Sequence, residues 1–157
     1  MTHVSGLLRK PRKDEAARLT ELALASKQYW GYSDDFIADC RAELRVTPDK
    51  LLAAQYRFKL LESAGDIAGF YCLEQHTDRH FEVEALFVAP EYVGCGVGRL
   101  LWRDLVAIAQ QSGAKMLSIA SDPNAENFYL KMGAKRVSLI PSKSIVGRTL
   151  PLLEFRL

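Results

Sequence analysis

A chain of 157 residues with 48% hydrophobic and 25% charged residues has an ordinary globular composition, and one domain over residues 1–157 is the default. Its net charge of +2 and pI near 8.4 are too mild to argue for a nucleic-acid partner, but they do not oppose a small anionic ligand.

Residues 4–9 read as a short strand, followed by a basic cluster, Arg9-Lys10-Pro11-Arg12-Lys13, which suits a solvated strand-to-helix corner. The spacing of Leu19, Leu22, Ala23, Ser26 and Tyr29 predicts a helix over 14–30, ended by Gly31. Ser33 is placed to cap a second helix to about Leu44, with Asp34 and Asp35 in its first turn. Thr47-Pro48-Asp49 marks a turn that can open a single helical turn. Residues 54–61 and 67–75 read as strands joined by a hairpin connection at 62–66. After a turn at 76–79 comes a strand at 80–89. Simple alternation places Phe81, Val83, Ala85 and Phe87 on one face and Glu82, Glu84, Leu86 and Val88 on the other. A helix follows over 96–112, stopped by Gly113, then a strand at 115–120 and a short helix from Asp122 to Gly133. Two last strands read at 134–140 and 149–157, the final one at an edge or bulged because of Pro151. Antiparallel pairing with helices on both faces gives an α/β or α+β class with a mixed sheet.

The segment Val88 to Leu101 carries glycines at 94, 96 and 98, between an apolar strand and an amphipathic helix. Glycine permits positive φ and close backbone approach. Amides of such a turn, with a helix N-terminus behind them, form an anion-binding nest. A dinucleotide fingerprint fails because Arg99 stands where a glycine is required. A Walker loop fails because Gly98 is followed by Arg99-Leu100. Both failures count against a phosphotransferase. A tight turn with no ligand remains open at this point.

The run Val88-Ala89-Pro90-Glu91-Tyr92-Val93-Gly94-Cys95-Gly96-Val97-Gly98 resembles motif A of the GNAT superfamily of N-acetyltransferases. Asp122-Pro123-Asn124-Ala125-Glu126-Asn127-Phe128-Tyr129-Leu130-Lys131-Met132-Gly133-Ala134 resembles the same family's second landmark, in the same order along the chain. Val93 departs from the usual glutamine or arginine, and Asp122 and Ala134 from the usual asparagine and phenylalanine. The resemblance implies a GNAT fold, with a mixed, mostly antiparallel sheet of about seven strands flanked by about four helices. It implies acetyl transfer from acetyl-CoA, a co-substrate, to a primary amine by direct attack in a ternary complex, without a metal. A non-catalytic acyl-CoA-binding or sensor module on the same fold is the alternative.

By the same resemblance, residues Val93, Gly94, Cys95, Gly96, Val97, Gly98 and Arg99 would hold the pyrophosphate, and Leu86, Phe87 and Val88 would line the pantetheine arm, with Asn127 a further polar contact. Tyr129 matches the family's general acid, since a phenol can share its proton with a departing thiolate. By periodicity alone Tyr129 also belongs with Ala125, Phe128 and Met132 on a packing face. Glu82 or Glu84 could serve as the general base through a water, Glu82 matching the family more closely, or both could be solvent-facing charges. Tyr29, Trp30 and Tyr32 stand where the family shapes its acceptor pocket, or are ordinary core and surface aromatics. A homodimer is open as an assembly.

His76 and His80, with Asp78 between them, read as hydrated residues of a turn rather than metal ligands. Cys40, Cys72 and Cys95 suggest neither a disulfide framework nor a zinc pattern, which fits a reducing, cytoplasmic compartment. No N-terminal leader pattern and no apolar run of the roughly 20 residues that span a bilayer is present, so no membrane partner is expected.

Overall fold

The computed structural model describes residues 5–157. Strand β1 (Leu7–Arg9) lies within the expected 4–9, of which residue 4 is outside the described residues. Helices α1 (Ala16–Gln28), α2 (Asp34–Leu44) and α3 (Pro48–Leu52) come next. The starts of α2 and α3 each have a side-chain cap. Ser33 Oγ accepts from Phe36 N at 3.2 Å, and Thr47 Oγ1 accepts from Lys50 N at 3.1 Å with Pro48 opening α3.

Strands β2 (Tyr56–Ser63), β3 (Asp66–Gln75) and β4 (His80–Val88) form an antiparallel meander. The β2–β3 loop is two residues, Ala64 and Gly65, both with positive φ (51° and 84°), the backbone twist that matches a hairpin. Helix α4 (Val97–Gln111), β5 (Met116–Ala120), α5 (Glu126–Lys131), β6 (Lys135–Pro141) and β7 (Thr149–Arg156) complete the chain. The seven-stranded sheet runs β1-β2-β3-β4-β5-β7-β6, and only β4–β5 is parallel.

Two apolar layers sandwich the sheet. On one face α1 presents Leu19, Leu22 and Ala23 to Phe58, Leu60, Phe70 and Cys72. On the other, α4 presents Val97, Leu101, Trp102 and Leu105 to Leu61, Tyr71, Leu73, Phe81 and Leu117. Adjacent residues of one strand, such as Leu60 and Leu61, thus serve opposite layers. Gly69 fits because a Cβ there would meet the Phe87 carbonyl oxygen at 2.7 Å.

Three expectations change. The β4 register steps from Cys72↔Ala85 to Leu73↔Val83, leaving Glu84 as an extra, unpaired residue. The bulge reverses the alternation expected over 80–89: Phe81 and Val83 join Leu86 and Val88 in the α4 layer, while Ala85 and Phe87 pack in the α1 layer. The last strand is not an edge, although its ladder with β6 is irregular, with a register shift between Arg136 and Ser138. β7 lies between β5 and β6, and Pro151, whose carbonyl takes Ser121 N–H at 2.9 Å, sits just past the last β5–β7 pair, where no ladder donor is needed. Finally, the corner at 9–13 is not merely solvated. Arg9 donates to Glu15 at 2.9 and 2.8 Å and to Glu62 at 3.1 and 2.9 Å.

Candidate active site

The central opening follows from strand pairing. β4 and β5 share three register pairs, His80↔Met116, Phe81↔Leu117 and Glu82↔Ser118. Beyond them β4 stays with β3 as far as Gly69↔Val88, while β5 stays with β7 as far as Ala120↔Leu152. The two strands diverge, and a cleft of about 460 Å³ occupies the gap. Residues 83–88 of β4 line it on one side, and Ile119, Ala120 and Ser121 on the other. Main-chain groups of β4 facing the gap have no β5 partner, so an extended ligand can pair with them as a strand would.

One end of the cleft is the glycine turn. Gly94 and Gly96 have φ of 82° and 84°, and Gly96 is the N-cap of α4. A Cβ on Gly94 would meet nothing within 4 Å, so it is conformation and approach from the cleft that suit glycine there. The amides of Gly94, Gly96, Val97, Gly98 and Arg99 donate to no described residue, and no side chain caps the helix. Such amides at a helix N-terminus suit a phosphate-like anion. Val93, Gly94, Gly96, Val97, Gly98 and Arg99 all line this end. Cys95 does not: its amide is spent on Tyr92 O at 3.2 Å and its side chain packs against the core, so it drops out of the expected anion set.

Tyr129 forms part of the opposite wall, on α5. It is buried, with its ring against Trp102 at 5.8 Å and Phe128 at 5.3 Å. Its hydroxyl has no partner among the described residues, yet no described buried side-chain polar atom is both sealed and unpaired. The hydroxyl therefore opens to the cleft. Burial, with the Asp122 carboxylate as a lesser cause, pushes this phenol well above its usual range. Asn127 is exposed and outside the cleft; the phase of α5 sends Ala125, Phe128, Tyr129 and Met132 inward instead. Asn124 is the asparagine that lines it.

The two candidate carboxylates separate. Glu84, on the bulge, lines the cleft and accepts from Lys50 Nζ at 2.7 Å. Glu82 does not line it. Glu82 stands opposite Glu74 on β3 and meets His76 Nε2 at 2.9 Å. The strand fork parts them: Glu82 is still paired with Ser118 on β5, whereas Glu84 lies beyond the last β4–β5 pair, where the cleft opens.

At the far end Tyr29 and Trp30 line the cleft half-exposed, edge to face at 5.5 Å. Tyr32 does not line it. Its hydroxyl donates to the Asp122 carboxylate at 3.0 Å and accepts from Asn124 Nδ2 at 3.0 Å and Arg148 Nη2 at 2.7 Å. Asp122 also accepts from Lys27 Nζ at 2.9 Å. Burial would raise the Asp122 carboxyl, but Lys27, Asn124 and Tyr32 outweigh it and hold the carboxyl below its ordinary range. Lys27 was missed in the sequence, and Asp122 stood out there only as a departure from the second motif.

Residues 18–134 match the family model described as the acetyltransferase (GNAT) family. With the sheet order, the split between β4 and β5 and the glycine turn, this settles the class: the chain belongs to the GNAT acetyltransferase family and is an acyltransferase. A search of the curated proteins returns no significant match. Among solved structures, the chain is similar to the PaiA N-acetyltransferase from Thermoplasma acidophilum in complex with coenzyme A, with TM-score 0.81 and 19% identity over 98% of this chain and 99% of that one. It is similar to a GCN5-related N-acetyltransferase from Rhodopseudomonas palustris, with TM-score 0.78 and 23% identity over 100% and 99%. It is also similar to an aminoglycoside 6'-N-acetyltransferase complexed with coenzyme A, with TM-score 0.72 and 14% identity over 96% of each chain. At these identities the likeness speaks for the fold. Among the described residues, no helix is long and apolar enough to cross a membrane.

Proposed function

We propose that this chain transfers an acetyl group from acetyl-CoA to a primary amine by direct attack within a ternary complex. The observation that carries the reading is the alignment of unspent amides, an unpaired strand edge and a cleft-facing phenol along one opening. The amides of Gly94, Gly96, Val97, Gly98 and Arg99 would take the pyrophosphate, with the Arg99 cation beside them. The β4 edge at Leu86, Phe87 and Val88 would pair with the amide groups of the pantetheine arm. A main-chain N–H on that edge would also favour negative charge building on the thioester carbonyl.

Tyr129 would act on the sulfur. A phenol raised by burial keeps its proton across the neutral range and offers an O–H donor to a departing thiolate. Glu84 would act on the other reactant, since an amine arrives as ammonium and must lose a proton. Tyr29 and Trp30 present aromatic faces suited to an apolar or cationic acceptor. No step requires a covalent enzyme intermediate.

The test is release of free thiol from acetyl-CoA in the presence of a panel of polyamines, amino acids, aminoglycosides and peptide N-termini, with calorimetric titration of coenzyme A alongside. Amine-dependent thiol release supports the reading. Tight coenzyme binding with no release for any amine supports a sensor module instead, and absence of coenzyme binding overturns both.

A further inference from the structure

Outside the cleft, the turn between β3 and β4 gathers a second set of reactive side chains. Glu74 and Glu82 are register partners on adjacent antiparallel strands, so two carboxylates stand directly opposite each other. Like charges in that position destabilise a sheet unless something sits between them. Among the described residues, no lysine or arginine pairs with either one. The group that does approach both is an imidazole: His76 Nε2 lies 2.9 Å from Glu82 Oε1 and 3.7 Å from Glu74 Oε1.

The surroundings hold this imidazole in place. His76 N and Thr77 N both donate to His80 O, at 3.0 and 3.1 Å, and Thr77 Oγ1 accepts from His80 N at 2.9 Å. The His80 ring stacks on the His76 ring at 5.3 Å, and its own Nε2 is tied to Ser118 Oγ at 2.8 Å. One ring nitrogen and two carboxylates, with donor atoms all within 4.8 Å of one another, thus converge from two strands. Atoms that share a small divalent ion at about 2.1 Å each stand on the order of 3–4 Å apart, the range of the two His76 distances.

The geometry points to a binding site for a divalent transition-metal ion formed by Glu74, His76 and Glu82, with His80 orienting the His76 ring. A mixed nitrogen and oxygen donor set favours zinc or cobalt over magnesium or calcium, which prefer oxygen alone. None of the three residues lines the cleft, so the site stands independently of the acetyl-transfer reading. The sequence reading of residues 76–79 as a solvated turn could not include the carboxylates, because strand pairing alone brings Glu74 and Glu82 together. An ion there would bridge β3 and β4 beside the β4–β5 rungs.

The experiment is equilibrium dialysis of zinc against the full chain in a His3→Ala background, which removes the one other histidine. Cobalt absorption spectra are recorded in parallel. One saturable zinc per chain is expected, with affinity at least about tenfold weaker in His76→Ala and in the isosteric Glu82→Gln. Three results would each overturn the site: no saturable zinc binding, binding unchanged in both variants, or a thiolate charge-transfer band with cobalt, which would place the ion on a cysteine.

Discussion

Lys50 Nζ meets the Glu84 carboxylate at 2.7 Å, and Glu84 is the extra residue of the β4 bulge, without a partner on β3. Glu84 lies beyond the last β4–β5 pair and so lines the cleft, while the cation on α3 steadies its carboxylate. Glu82, two residues earlier, is left outside. The two glutamates therefore separate in experiment. Glu84→Gln is expected to lower kcat by about 10²-fold, the usual contribution of a positioned general base. Glu82→Gln is expected to leave kcat close to wild type. Steady-state rates on the preferred amine measure both, and equal losses in the two variants would remove Glu84 from its role.

Tyr129→Phe keeps the ring that packs against Trp102 and Phe128 and removes only the hydroxyl. Turnover should fall about 10²-fold while the Kd for coenzyme A stays the same. Calorimetry beside rate measurements separates the two quantities. A variant as fast as wild type would return Tyr129 to a packing role.

Gly94 has φ of 82° and open space around its α-carbon. Asparagine and aspartate tolerate that backbone region better than other side chains. Gly94→Asn is thus a neutral control for Gly94→Asp, which sets a negative charge beside the anion cradle. The aspartate variant should bind coenzyme A roughly 10²-fold more weakly than the asparagine variant, an effect of about 2.7 kcal/mol. Raising the salt concentration should narrow the gap.

Arg9 spans Glu15 and Glu62, and the Glu15 carboxylate is almost wholly buried, its side chain 2% exposed. Arg9→Met leaves that charge with the Arg12 amide at 2.8 Å and the more distant Arg12 and Arg18 guanidinium groups at 3.4 and 3.7 Å, and should cost about 2 kcal/mol in thermal or urea unfolding. Hydrogen bonds from Arg9, outweighing the opposing effect of burial, hold the Glu15 carboxyl at about 2 instead of 4.5. A carboxyl depressed in the folded state stabilises fully above pH 4.5, and that stabilisation is lost as pH falls toward 2. Wild type and variant should therefore converge in stability over this interval, and a constant gap would contradict the pairing.

Much of the architecture was legible because local signals agreed with the final fold. Ser33 and Thr47 cap the helices they were expected to start, and Gly113 ends the long one. The glycine turn and Tyr129 were legible as motif members, although only the fold shows which amides stay unspent and that the phenol faces the cleft. The bulge at Glu84 was not legible: nothing in the sequence of β4 signals an extra residue, and one unpaired position reverses every side chain beyond it. The Lys27–Asp122 contact joins residues 95 apart in sequence, and periodicity carries no information over that distance. Asn127 failed for a smaller reason: two residues before Tyr129 on α5, it stands about 200° around the helix from the residue that lines the cleft.

The joint at Phe81↔Leu117 has a mechanical meaning as well. Two sub-sheets, β1 to β4 and β5 to β7, meet there through three rungs and then part like the legs of a compass. A small rotation at the pivot is amplified along the legs, so His80 and Ser118, clasped at 2.8 Å beside it, sit where a slight change of spacing would most alter the span available at the tips.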